Sequence, residues 1–272
     1  MTYERVSPTS ATRGKLPLDY FLLVFILSAP LWVISSLLGN KLPIPIDLPI
    51  SAFAFTAPVI AASILSYRQS GLLGVKDLLE KTFDHRKIKN RIWYLPAILV
   101  MPVIYFLSYA VIRLARLPLP EPVEIPFLMA PVFFIVFFIG AACEELGWSG
   151  YAIDPLQDRW GALKAGLILG LVWGIWHVIG DMQAGHTASW IVWHRLYSIA
   201  LRILIVWIYN NTGKSVFAAI LVHTMDNVSV FLFPNYGSHY NPFINSLITW
   251  LVAGITIIGW GPKTLTRYRN NR

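Results

Sequence analysis

Apolar stretches long enough to cross a bilayer follow one another along this chain, with short polar breaks between them. A hydrocarbon core about 30 Å thick is spanned by roughly 20 helical apolar residues. Stretches near that length lie at Tyr20 to Leu38, Ile50 to Tyr67, Trp93 to Leu114, Ile125 to Cys143, Leu163 to Ile179, Ala188 to Tyr209, Ser215 to Phe233 and Phe243 to Trp260. Only 13% of residues are charged, against 56% hydrophobic, whereas a soluble domain carries roughly 25% charge. A water-soluble fold would leave much of this apolar surface wet. Lipid offers the backbone no hydrogen bonds, so each segment must satisfy its own as a helix. The expected fold is all-α, a polytopic membrane helix bundle of about eight transmembrane helices.

The basic residues carry topology rather than nucleic-acid binding. The net charge is +8, but the positive side chains flank apolar segments and form no stripe with interleaved aromatics. With the N-terminus inside, cytoplasmic segments hold seventeen of the 22 Lys and Arg residues. Three fall outside (Lys41, Arg113, Arg116) and two fall within the sixth span (Arg195, Arg202). That bias follows the positive-inside rule with both termini cytoplasmic, and gaining or losing one span would break it. The expected organisation is a cytoplasmic N-terminal segment (1–19), one transmembrane domain (20–262) and a basic cytoplasmic tail (263–272). A Pro-rich link covers Leu42 to Pro49, and Arg68 to Arg91 mixes leucines with basic residues as a surface-lying amphipathic piece would. The expected location is a membrane, as a multi-pass integral protein, and the cell membrane if the host is bacterial. The single cysteine, Cys143, excludes an intrachain disulfide.

Ionisable residues inside spans cost on the order of 3 kcal/mol each at the helix centre, so they are functional suspects. Glu144 and Glu145 close the fourth span, His177 ends the fifth, and His223, Asp226 and Asn227 sit within the seventh. In the fifth span Gly166, Gly170 and Gly174 recur every four residues, a stripe that admits another helix closely, and His177 shares that face. Ser215, Ala219, His223 and Asn227 form a similar row in the seventh. Successive residues on a helix are about 100° apart, so at most one glutamate should aim at the histidines. Arg195 and Arg202, seven apart on one helix face, are candidate counter-ions for Glu145 or Asp181, or contacts for a substrate carboxylate. Asp226 is an indirect candidate to orient His223. His186 and His194 have no spaced partner, and Cys143 reads as a buried, inert thiol rather than a nucleophile.

Three motifs stand in order: Glu144-Glu145-Leu-Gly-Trp-Ser-Gly-Tyr151, Trp173-Gly-Ile-Trp-His177 and His223-Thr-Met-Asp-Asn227. Together they resemble the CPBP family of intramembrane proteases, which includes CAAX prenyl endopeptidases and the bacteriocin-immunity (Abi) proteins. The motif-bearing core covers about Phe133 to Phe233. The family pattern places an arginine four residues after the second glutamate, where this chain has Ser149, and usually a phenylalanine at Trp173. The resemblance implies a catalytic set of Glu144, Glu145, His177, His223 and Asn227.

For peptide hydrolysis these residue types make chemical sense. A glutamate in a low-dielectric cavity is tuned to take a proton from water, with His177 assisting. His223 and Asn227 can donate hydrogen bonds to the oxyanion. Water must reach them, which suggests a position near a cytoplasmic opening. A zinc ion held by Glu144, His177 and His223 is the metal alternative, although no HExxH is present. The expected partner is a membrane protein or peptide substrate, prenylated if the host is eukaryotic, in contact with the lipid bilayer. Two rivals stand beside the endopeptidase: a non-catalytic immunity or scaffold protein, favoured by Ser149, and a proton-coupled transporter, disfavoured by the lack of two related halves.

Overall fold

The computed structural model describes residues 16–38 and 50–267. The expected Pro-rich link, most of the N-terminal segment and the end of the basic tail lie outside the described residues. Nine helices appear among the described residues: α1 (Leu18–Leu38), α2 (Ala57–Glu80), α3 (Tyr94–Leu114), α4 (Ala130–Gly147), α5 (Ile153–Trp160), α6 (Ala162–Gln183), α7 (Ala188–Asn211), α8 (Val216–Leu232) and α9 (Pro242–Trp260). There is no strand among them. Seven helical segments are long and apolar enough to cross a membrane. The shorter α8, with 17 residues, is the eighth apolar helix.

Large apolar side chains such as Leu128, Ile135, Leu171, Ile175, Leu251 and Ile258 face outward, as a lipid-solvated surface requires. The inside of the bundle is built on α7 and α8. Helix α7 packs against both α6 and α9, and α8 packs against both α3 and α4. The glycine stripe of α6 meets α7. A methyl at Gly170 would come within 2.9 Å of the Ile199 backbone, whereas at Gly174 the nearest atom would be an Arg195 side-chain carbon at 3.7 Å. The close approach that the spacing predicts is therefore present, and tightest at Gly170.

Helix ends are satisfied by particular side chains. Thr187 accepts from the Trp190 amide at 3.3 Å and Asn241 from the Ile244 amide at 3.2 Å. The start of α8 is held more elaborately. The Asp84 carboxylate, from the basic loop, accepts from the Ser215 hydroxyl (2.7 Å) and the Phe217 and Val216 amides (3.0 and 3.2 Å). This fixes the helix that carries His223 and Asn227. The basic loops also knit this end of the bundle together, with Lys81 Nζ donating to the Gly150 carbonyl (2.6 Å) and Lys214 pairing with Asp154 (2.9 Å).

Two segments differ from the expected spans. Helix α2 runs on past Tyr67 and kinks at Ser70 and Gly71, where Gly71 takes φ +61°. Beyond the kink Leu72, Leu73 and Leu79 are exposed beside Lys76, so leucines and basic residues share the outer surface of this segment. Helix α4 does not end at Cys143. It continues to Gly147, passes through a π-helical turn (Trp148–Ala152) and leads into α5. The two glutamates therefore sit inside a continuous helical segment, not at a frayed interfacial end.

Candidate active site

Helix α4 presents Glu144 and Glu145 at successive positions, so the two carboxylates turn to different neighbours. Glu144 faces α6, where one carboxylate oxygen accepts from the Trp173 indole N–H at 2.8 Å. Glu145 faces α7 and α8. Its Oε2 accepts from Arg202 Nη1 at 2.8 Å and from the Ser149 hydroxyl, and its Oε1 meets His223 Nδ1 at 3.0 Å. One glutamate does aim at a histidine, as the helical geometry demands, and it is Glu145. Both Glu145 and Arg202 side chains are 0% exposed.

The Trp173 ring is the hub. Its edges meet His177 (centroids 5.1 Å apart, 90°) and His223 (5.4 Å, 79°), and the Arg202 guanidinium lies 4.5 Å from its centroid. That stacked cation is a favourable contact of the ring quadrupole. Glu144, His177 and His223 are therefore gathered around one indole. His177 Nδ1 lies 2.9 Å from the Trp173 carbonyl, an acceptor only, so the hydrogen bond assigns the proton to Nδ1 and leaves Nε2 as a base. Likewise the Glu145 carboxylate takes the Nδ1–H of His223 and leaves Nε2 turned elsewhere. Asn227, one turn beyond His223, is half-buried, and its amide makes no hydrogen bond among the described residues.

The set lies deep. His223 is about 10 Å from the basic-loop end of α8, and His177 about 22 Å from that of α6, at 1.5 Å per residue. Among the described residues no group of three or more His, Cys, Asp or Glu side chains could hold a metal ion. As placed, Glu144, His177 and His223 are distributed around an indole, so the expected zinc ligands do not fit a common ion.

Other expectations sort clearly. Asp226 does not orient His223; it accepts from the hydroxyls of Tyr105 (3.1 Å) and Tyr197 and faces α3 and α7. Three residues apart on α8, Asp226 and His223 could have met, but the Asp226 carboxylate is engaged by the tyrosines of α3 and α7. Arg195 pairs with Asp181 at 3.0 Å, as the counter-ion reading has it, and Arg202 pairs with Glu145. His194 bonds Tyr240 at 3.1 Å and His186 stacks on Trp190, both apart from the glutamates. Burial and the Arg195 charge push the His186 imidazole below its ordinary range. Cys143 is a free, partly buried thiol. Sequence reasoning missed Trp173 as the hydrogen-bond partner of Glu144 and the two tyrosines on Asp226. Trp173 had a signal, as the aromatic of the second motif. The tyrosines lie too far away in sequence to have one.

Residues 126–229 match the sequence profile described as type II CAAX prenyl endopeptidase Rce1-like. The resemblance to CAAX prenyl endopeptidases read from the motifs is borne out. The matched segment holds all three motifs, from Glu144 to Asn227. Over 78% of its length the chain is also similar, at 26% identity, to the protein named CAAX prenyl protease 2 of Methanococcus maripaludis, covering 83% of that relative. The similarity to a CAAX protease thus extends well beyond the motif-bearing core.

Proposed function

We propose that this chain is an intramembrane endopeptidase that hydrolyses a peptide bond of a membrane-associated protein, using a water activated by Glu144 and His177. The observation that carries this reading is the gathering of Glu144, His177 and His223 around Trp173, with Asn227 one turn away. Glu144 is the base. Its carboxylate is held by one indole N–H, and the water it polarises can be shared with His177 Nε2. The attacking oxygen adds to the carbonyl carbon while its proton passes to Glu144. With His223 doubly protonated, its Nε2–H and the Asn227 amide then donate to the oxyanion. The proton on Glu144 goes on to the leaving nitrogen as the C–N bond breaks. Water activation is assigned here to side chains alone.

Glu145 has a different task. Engaged by Arg202, His223 and Ser149, it orients His223 and takes no part in the proton transfers. We assign the basic-loop end to the cytoplasm from the distribution of Lys and Arg. The substrate class follows the name of the relative, a CAAX prenyl protease, and is a polypeptide with a lipidated C-terminal region. The non-catalytic reading rested on Ser149, and the presence of Arg202 on the same carboxylate weakens it.

The test uses purified protein in lipid vesicles with a farnesylated CAAX-type peptide and its unlipidated counterpart. Release of the terminal tripeptide from the lipidated peptide by wild type supports the assignment of substrate class. Equal cleavage of both peptides would refute the lipid requirement, and cleavage of neither would refute the substrate class.

A further inference from the structure

We infer that Arg202, on α7, is the positioning cation of the glutamate pair and occupies the electrostatic role that a cation at position 149 would fill. Ser149 lies four residues after Glu145, and its hydroxyl bonds the same carboxylate oxygen, Oε2, that the Arg202 guanidinium bonds at 2.8 Å. A long cationic side chain at 149 would reach that oxygen from the same helical segment. Here residue 149 is a serine, and the charge arrives from another helix. The Gly170 approach makes room for it, because a methyl there would lie 3.1 Å from Arg202 Cβ.

The side chain is committed to this place. Arg202 is 0% exposed, Glu145 is its ion-pair partner, and its face covers the Trp173 ring. It therefore sets the carboxylate that holds His223 and, through Trp173, the indole that holds Glu144. Arg202 touches neither of the proposed reacting groups, Glu144 and His177, by hydrogen bond. It is a positioning residue, and its role in catalysis rests on the endopeptidase reading above.

The experiment is a charge exchange between the two positions: Arg202→Met, Ser149→Arg and the double variant, each purified and reconstituted in lipid vesicles. Thermal unfolding and peptide cleavage are both measured. Arg202→Met should lower kcat by about 100-fold with KM within about threefold, and unfold at lower temperature, because a buried carboxylate loses its counter-ion. Ser149→Arg alone should also be impaired, with two guanidiniums competing for one oxygen. The double variant should regain kcat to within about tenfold of wild type and recover most of the unfolding temperature. Simple loss of packing volume at 202 would not be rescued by a charge placed on another helix. If Arg202→Met yields no folded protein, recovery of folded protein in the double variant is itself the rescue.

A double variant no better than Arg202→Met in both readouts would overturn the inference, as would an Arg202→Met variant indistinguishable from wild type. If wild type cleaves no more than Glu144→Gln while unfolding temperatures still show the exchange, the endopeptidase reading falls and the charge assignment stands.

Discussion

The two adjacent glutamates should fail in opposite ways when neutralised. In Glu145→Gln the buried Arg202 cation loses its carboxylate, at a contact of 2.8 Å with both side chains 0% exposed. The amide also loses charge-assisted bonds to His223 and Ser149 and turns an N–H₂ toward at least one donor. Breaking a buried pair by removing one charge costs about 3 to 5 kcal/mol. For a chain of this size that corresponds to a fall of roughly 10 °C in unfolding temperature. Glu144→Gln keeps an oxygen to accept the Trp173 N–H at 2.8 Å and breaks no ion pair. Its stability should stay within about 1 kcal/mol of wild type, while cleavage falls by at least about 1,000-fold with the base removed. The assay is thermal unfolding in detergent beside peptide cleavage on the same samples. A Glu145→Gln variant as stable as wild type, or a Glu144→Gln variant that is the less stable of the two, would refute the division of roles.

Four further outcomes follow from the geometry. Gly170→Ala should lower the unfolding temperature because its methyl meets backbone at 2.9 Å, whereas Gly174→Ala, with 3.7 Å of room, should be nearly neutral. Asp84→Ala removes three bonds at the start of α8 and should cost about 2 kcal/mol in thermal unfolding, with Asp84→Asn costing less. Asp226→Asn weakens the bonds from Tyr105 and Tyr197 but leaves His223 held by Glu145, so kcat should stay within about tenfold of wild type in the cleavage assay. Prolonged dialysis against a strong chelator should leave cleavage unchanged within about twofold; loss restored by Zn²⁺ would contradict water activation by side chains alone.

Much of the architecture was legible because it follows from one-dimensional rules. Bilayer thickness sets the length of each apolar run, and the fifth to eighth spans coincide with α6 to α9 within a few residues. Spacing of four placed the glycine stripe, and α7 does close on it. That Arg195 and Arg202 would serve as counter-ions to Glu145 or Asp181 was one reading of the need of an intramembrane charge for a partner, and the fold decides which acid each arginine takes. What could not be read depends on contacts between distant segments. Whether Glu144 or Glu145 turns toward His223 depends on the rotation of α4, which packing against α2 and α8 decides. Asp226 was expected to serve its helical neighbour, yet its partners are 121 and 29 residues away. The extension of α4 through the π turn into α5 was also hidden, because the polar residues after Cys143 resemble those that end a span.

The central claim is that Glu144 drives peptide-bond hydrolysis, and the most direct test compares protein ends in cell membranes. Cells expressing wild type or Glu144→Gln at matched levels are compared by quantitative terminomics. The account predicts new polypeptide ends, at a common distance from the membrane surface, that appear with wild type and are missing with Glu144→Gln. Identical end profiles from the two cell lines would contradict it.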